Sequence, residues 1–401
     1  MKNTLSDKGK KNVFAKNRIS PVVSNFHQSI VGAVIWLYIF VLAFQTFRNF
    51  TKALKAVARL WRFTRKYRGT SRLKLARVDK RYYWDLNNPS FPSLAFKNNM
   101  KDELQRINKN LLVKGKLTTM ILSVTNNCVL ACEHCSEWNC RNEKESLSKK
   151  DLALIVKKFQ EYGVAQIQIS GGEPLLRFDD LVELIKSAKQ GTDFWLLSSG
   201  VGLTKEKAVR LKQAGLTGVV LSLDHFDPDK HNSFRGNRRS FAWVEKAVQN
   251  VSSAHLVLAL SLCATKHFVS SENLLKYAKL AREFGASFIR IVEAQAQGRY
   301  EGKDVALSEA QQHILDQFFL KMSLDNKYRS MPILEYHGYY QRRIGCFSAG
   351  NRWLFVDGNG NMHACPFCRN KEHRNVISGS LGEMIEALKL EGCPKTRNAS
   401  F

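Results

Sequence analysis

Residues 118–135 read Thr118-Thr-Met-Ile-Leu-Ser-Val124-Thr-Asn-Asn-Cys128-Val-Leu-Ala-Cys132-Glu-His-Cys135. An apolar run of strand length, Thr118 to Val124, passes directly into a loop that holds three cysteines within eight residues. Soft thiolate ligands suit iron-sulfur centres, and so short a loop can wrap three corners of one cubane. The fourth iron would then have no cysteine from this loop and would be open to a substrate or cofactor. Zinc is the competing reading: a tetrahedral site takes a fourth Cys or His, and His134 or Cys140 is near enough in sequence to supply it.

Outward from this loop the chain alternates. Five further apolar runs of strand length are Gln166 to Ser170, Phe194 to Ser198, Gly218 to Leu223, His255 to Leu262 and Phe288 to Glu293. Between them lie helical patterns, over Phe178 to Ala188, Thr204 to Ala214, Phe241 to Val251 and Leu274 to Phe284. The first of the series places Leu152, Ile155, Phe159 and Tyr162 at helical spacing, opened by Ser148 with Asp151 three residues on as a capping box. Six strand-helix alternations predict parallel strands with right-handed crossovers. The expected fold class is α/β, a partial (β/α)6 barrel with a small cysteine-rich C-terminal extension and an N-terminal membrane helix. Such barrels place their chemistry at the C-terminal ends of the strands.

Those strand ends carry recognisable segments. Gly171-Gly172-Glu173-Pro174 follows the second strand, Leu197-Ser198-Ser199-Gly200 the third and Ser222-Leu223-Asp224 the fourth, with Arg235-Gly236 beyond. Gly171-Gly172 alone would read as a tight turn, since glycine permits positive φ. In this order, together with Cys-x3-Cys-x2-Cys, the segments resemble the radical S-adenosylmethionine (radical SAM) superfamily over roughly residues 115–330. The resemblance implies a 4Fe-4S cluster on Cys128, Cys132 and Cys135 with S-adenosylmethionine at the open iron. Gly171, Gly172, Glu173 and Pro174 would then bind the amino group of the methionine moiety. Ser199 would contact the ribose, although Ser198-Ser199 stands where that family more usually has Thr-Asn. Ser222, Asp224 and Arg235 would meet the carboxylate and ribose. It further implies an enzyme: an electron from a low-potential donor such as a flavodoxin or ferredoxin breaks the C5'-S bond, and the 5'-deoxyadenosyl radical takes a hydrogen atom from substrate.

A second cysteine group follows, Cys346, Cys365, Cys368 and Cys393. Asp357-Gly358-Asn359-Gly360 predicts a hairpin turn between Trp353 to Val356 and Met362 to Ala364. This region is similar to the SPASM and twitch extensions, whose fuller form carries about seven cysteines; four imply the shorter type and a single auxiliary cluster. A structural zinc on the same four thiolates competes. Cys140 and Cys263 read as bystanders, Cys263 as core. His225 and His231, and then Glu293, Gln295 and Arg299, fall near predicted strand ends without an assigned role.

The 401 residues carry a formal charge of +27, unevenly spread: residues 1–118 hold 25 Lys/Arg against 5 Asp/Glu. Phe26 to Phe47 has no Asp, Glu, Lys or Arg. A helix of that length measures about 33 Å, enough to cross a hydrocarbon core of roughly 30 Å. A transmembrane helix is therefore expected, with a helix lying in the membrane interface as the alternative that Gln28, Gln45 and the flanking charge suit. Six Lys/Arg precede the stretch and eight closely follow it, which puts the catalytic part on the cytoplasmic side, as do reduced thiols. Arg48 to Arg81 would rest on anionic headgroups; binding of nucleic acid is not expected. The expected organisation is a basic tail over 1–25, a membrane helix over 26–47, a basic juxtamembrane linker over 48–114, the radical SAM core over 115–330 and the auxiliary-cluster region over 331–401. The substrate, lipid-linked, peptide or small molecule, is not identified, and a non-catalytic iron-sulfur or electron-transfer membrane protein is the alternative function.

Overall fold

The stretch expected to meet a membrane forms one helix, α1 (Asn25–Phe47), followed after two residues by α2 (Phe50–Arg68). The computed structural model describes residues 21–23, 25–68, 74–108, 116–369 and 374–393, so the basic tail expected over 1–25 lies almost wholly outside the described residues. After α2 come a small hairpin, β1 (Ala76–Val78) and β2 (Arg81–Tyr83), and α3 (Leu94–Asn108). Residues 48–114 were expected to form a basic juxtamembrane linker; their described part holds two helices and the hairpin. Ala53, Ala56, Leu60, Phe91, Phe96 and Leu104 are buried and join Val31, Ile35, Ile39 and Leu42 of α1 in a separate apolar cluster. The many basic residues between them mask this periodicity in the sequence.

The six expected strands are β3 (Thr119–Ser123), β4 (Gln166–Ser170), β5 (Asp193–Ser198), β6 (Leu216–Ser222), β7 (Val257–Ala264) and β8 (Phe288–Glu293). Between them run α4 (Lys149–Tyr162), α5 (Phe178–Ser187), α6 (Lys205–Ala214), the pair α7 (Pro228–Arg235) and α8 (Ser240–Ser253), and α9 (Ser271–Glu283). Each strand pairs in parallel with the next, as βαβ crossovers require; Thr119 lies opposite Gln166, and Ser123 opposite Ser170. α4 starts at the expected capping box and stops at Gly163 in the left-handed conformation, φ 96°.

The C-terminal part continues with α10 (Glu309–Leu324), β9 (Ile333–Tyr336), α11 (His337–Ile344), β10 (Trp353–Val356), β11 (Asn361–His363), β12 (Arg374–Asn375) and α12 (Leu381–Glu391). β9 adds in parallel to β8, and β10 adds in parallel to β3 on the opposite side. Among the described residues the main sheet thus has ten strands, in the order β12-β11-β10-β3-β4-β5-β6-β7-β8-β9, with β12 and β9 as its edges. The count of six parallel strands is corrected to eight. β9, at four residues, is too short to display a period, and β10 was expected as one arm of a hairpin, without its parallel partner β3.

Alternate side chains divide between two environments, as the period of two along a strand dictates. Met120, Leu122, Ile167, Ile169, Leu196 and Val219 face the helices and belong to the main core. Trp195, Val220, Val257, Ala259, Phe288 and Ile333 face the other way and pack around Leu86, Tyr83 and Ala76 of the N-terminal segment. Polar bonds fix this segment at the first residues of the strands. Gln166 Nε2 donates to Leu86 O (2.7 Å), Thr119 Oγ1 to Asn87 O (3.3 Å), and Ser90 N to the Asp193 carboxylate (3.2 Å). The N-terminal ends of the strands are therefore plugged, and the cysteine loop sits at the opposite ends.

Candidate active site

The loop after β3 is shaped by what packs against it. A Cβ on Gly172 would come 2.2 Å from Asn127 O, and one on Gly171, at φ 143°, 2.7 Å from Thr125 O. Only glycine lets the segment after β4 lie so close. The reward is a backbone ladder: Gly172 N donates to Thr125 O and Glu173 N to Asn127 O, both at 2.8 Å. Gly236, at φ 66°, plays the same part on the far side, with Ala131 O 2.7 Å from the position of its absent Cβ. There Glu133 N donates to Phe234 O (2.9 Å). A third support is Gly298, where a Cβ would meet Cys135 O at 2.2 Å, followed by Arg299, whose N donates to that carbonyl (3.0 Å) and whose guanidinium donates to Ala131 O (2.6 Å). Arg299 thus acts as a brace behind the loop, a role that its sequence position did not disclose.

Cys128, Cys132 and Cys135 all line one cavity of about 710 Å³, together with Gly171, Gly172, Glu173, Ser199, Ser222, Asp224 and Arg235. Pro174 is not in the wall; it is buried and opens a single 3-10 turn, Pro174–Arg177. Burial pushes the Cys128 thiol up to about 11 and Cys135 to about 12. Arg235 lies beside these sulfurs. Its Nε donates to Asp224 Oδ2 (2.6 Å) and its Nη1 to Cys132 Sγ (3.5 Å). Burial opposes both charges of this pair, but Asp224 keeps the guanidinium protonated, and Arg235 draws the carboxyl below its ordinary range. Cys263, expected as core, is buried against Ala294 and Tyr300, yet it also lines the cavity, and its N donates to Asp224 Oδ1 (3.0 Å).

Glu173 is wholly buried, which pushes its carboxyl up, and four donors from three residues hold it. Ser198 Oγ (2.7 Å), Ser199 N (2.9 Å), Ser199 Oγ (2.5 Å) and Leu175 N (3.2 Å) all donate to it. The two serines at the end of β5 therefore point at the acid after β4. His225 and His231 stay off the cavity wall: His231 Nδ1 accepts from Asp224 N (3.1 Å), and His225 Nδ1 accepts from Asp227 N (2.8 Å). Glu293 and Gln295 do line it.

The second cysteine group opens on the same cavity, through Cys346, Cys365, Cys368 and Cys393. Cys393 Sγ stands 3.6 Å from Cys368 Sγ, and hydrogen bonding also links Cys346 to Cys393 and Cys365 to Cys368. The four thiols are thus gathered although they are spread over 48 positions of sequence. Among the described residues, no three His, Cys, Asp or Glu side chains stand in the arrangement of a single-ion site. The predicted hairpin forms between β10 and β11, with Gly358 packed on Asn126 so closely that a Cβ would lie 2.1 Å from Asn126 Oδ1. The C-terminal turn therefore braces the start of the first cysteine loop. Arg369, paired with Glu137 and with Asp357 (3.6 Å), forms a second bridge between the two regions. Sequence reading missed the cavity's polar floor, where Arg290 donates to Glu335 (3.0 Å) and Gln168 (3.1 Å), and Asn87 donates to Glu335 (2.7 Å). Its members come from four distant segments, so no local spacing joins them.

Residues 122–263 match the family model of the Radical SAM superfamily. The chain carries a radical SAM domain. Over 269 residues, 64% of this chain and 66% of the relative, it is 28% identical to mycofactocin maturase MftC of Mycolicibacterium smegmatis. Over 135 residues, 32% of this chain and 44% of the relative, it is 41% identical to a probable GTP 3',8-cyclase of Methanococcus maripaludis. The chain thus spans less than two thirds of the length of these relatives. Among solved structures, Streptococcus suis SuiB bound to precursor peptide SuiA superposes with a TM-score of 0.56 at 16% identity, covering 86% of this chain and 80% of that one. Native anSMEcpe with bound AdoMet and Cp18Cys peptide gives 0.54 at 18% identity, covering 69% and 82%. At such identities the likeness is one of fold.

Proposed function

We propose that this chain is a radical SAM enzyme that reductively cleaves S-adenosylmethionine at a 4Fe-4S cluster on Cys128, Cys132 and Cys135 and removes a hydrogen atom from a substrate held in the shared cavity. The observation that carries this reading is the convergence of three loop thiols, Arg235, Asp224 and the glycines 171 and 172 on a single cavity. The residues fit the cofactors: soft donors stand directly beside a charged, hydrogen-bonding wall, with Arg235 Nη1 3.5 Å from Cys132 Sγ. When bound, cluster and S-adenosylmethionine supply the electron transfer and the alkyl radical. The chain's own part is to hold and shield. Gly171 and Gly172 leave a backbone cradle without side chains beside the cysteine loop. Glu173, saturated by Ser198, Ser199 and Leu175, would fix the shape of the cradle, and Arg235, held by Asp224, would be the fixed cation for a carboxylate. Ser199 and Ser222 supply hydroxyls on the same wall.

Cys346, Cys365, Cys368 and Cys393 would hold an auxiliary cluster facing the same chamber, within a region 331–401 that completes a partial barrel begun by 115–330. Substrate would then lie between the two cysteine groups, within reach of both. A low-potential donor such as a flavodoxin or ferredoxin would supply the electron. SuiB and anSMEcpe were both solved with peptides, so a peptide is the first substrate class to test. Attachment to a membrane through the N-terminal helices belongs to the same reading; α1 is long and apolar enough for it.

The test is 5'-deoxyadenosine release. Anaerobically reconstituted, dithionite-reduced protein is expected to form it from S-adenosylmethionine, and the Cys128→Ala, Cys132→Ala, Cys135→Ala triple variant none. A wild-type protein that binds S-adenosylmethionine yet leaves it intact would establish the non-catalytic alternative instead.

A further inference from the structure

α1 buries one side and leaves the other bare. Val31, Ile35, Ile39 and Leu42 face the protein, whereas Phe26, Ile30, Val34, Leu37, Val41 and Phe44 are exposed, Phe26 at 79% and Leu37 at 64%. The exposed positions recur every three, four or seven residues, so they form one continuous stripe about 27 Å long on the outward side of the helix. No polar side chain of α1 interrupts it between Ile30 and Phe44. A helix that faces water normally carries polar residues there.

Two further observations say what covers this stripe. First, α1 is bound to the body of the protein along its length. Tyr38 packs on Phe91 at 5.4 Å between ring centroids, His27 Nε2 bonds the Tyr82 hydroxyl (2.9 Å), and α2 folds back along α1, with Phe40 on Phe50 at 5.6 Å. A helix held this way along its inner side cannot stand across a bilayer without stripping those contacts. Second, α2 has three sectors. Ala53, Ala56 and Leu60 are buried; Phe50, Leu54 and Trp61 are exposed; Lys52, Lys55, Arg62 and Arg65 are exposed on the remaining side, with Arg65 over the Trp61 ring at 4.9 Å. An apolar surface rimmed by cations and an indole matches the layered chemistry of an anionic bilayer surface, apolar below and phosphate above.

We infer that α1 and α2 together form a monotopic docking surface that seats the protein in the plane of an anionic membrane, so that neither helix crosses it. This rests on the membrane attachment proposed above and specifies its geometry. The surface is carried by the segment that plugs the N-terminal ends of the strands, the end opposite the cysteine loops. Substrate therefore enters from the aqueous side, not from the bilayer the surface rests on.

The test uses the full chain with an epitope tag at each terminus. Flotation with vesicles of neutral phosphatidylcholine, alone or mixed with phosphatidylglycerol, is expected to recover the protein with the anionic vesicles. The exposed-stripe double variant Leu37→Asp, Val41→Asp should lose at least about tenfold in bound fraction while keeping its melting temperature, since both side chains already face outward. In sealed membranes of expressing cells, external protease should treat both tags alike. Tags on opposite sides would overturn the in-plane geometry while leaving membrane attachment intact. Failure of the wild-type chain to float with any vesicle, together with a dimer in solution that the double variant splits, would overturn membrane attachment itself and assign the stripe to a second copy.

Discussion

Gly172 leaves no room for a methyl group, because Asn127 O already occupies its place. Gly172→Ala must push apart the two loops whose ladder fixes the cysteines, at a cost of about 1–3 kcal/mol typical of overpacking. The expected outcome is a lower midpoint in chemical denaturation and a fall in bound iron after reconstitution; unchanged iron would show that the ladder does not position the thiols. Arg235 allows a sharper contrast. Arg235→Leu strands Asp224 as a buried, unpaired carboxylate and is expected to cost on the order of 3–5 kcal/mol. Arg235→Lys keeps the charge but has no planar fork to serve Asp224 and Cys132 together. It should fold near normally and show a raised KM for S-adenosylmethionine. At this scale, residue identities were legible and their reasons were not. Gly171-Gly172, Asp224 and Arg235 stood out as a pattern, whereas the carbonyls that demand glycine, and the serines aimed at Glu173, exist only once the loops are side by side.

Elements announced themselves where capping chemistry marked their ends. Ser148 accepts from Asp151 N while the Asp151 carboxylate reaches back to Ser148 N (2.9 Å), and α4 begins where the spacing said it would. Ser148→Ala should therefore remove about 1 kcal/mol of stability. Thermal unfolding would register it, with 5'-deoxyadenosine formation unchanged because the cap lies on the outside of the sheet. Strands β4 and β8 coincide with their expected bounds, since long apolar runs between helices leave little choice. β9 and β12, at four and two residues, gave no such signal, whereas β10 and β11 were marked by the turn Asp357-Gly358-Asn359-Gly360 between them; α2 and α3 were hidden by their charge. Short or heavily charged elements draw their stability from tertiary packing, which local sequence does not record.

Across the whole molecule, the floor of the cavity ties the N-terminal segment to the sheet through Glu335, Arg290 and Asn87. Burial pushes the Glu335 carboxyl up from the ordinary 4.5 to about 7. An unfolded chain releases that proton near the ordinary value, so the stabilising contribution of Glu335 is fully present below it and is lost as the pH rises through about 7. Wild-type stability, measured by denaturation from about pH 5 to about pH 8, should fall relative to Glu335→Gln, whose side chain cannot ionise. A constant difference between the two proteins would refute the assignment. The sheet's strand order also has a consequence in time. β3 leads into the first cysteine loop, yet its outer neighbour β10 and the turn that braces Asn126 are translated more than two hundred residues later. Chains fold from the N-terminus as they emerge, so this loop waits half-built on the ribosome. A chain interrupted before Val356 is expected to lack both the strand beside β3 and the turn against Asn126, although Cys128, Cys132 and Cys135 are already present in it.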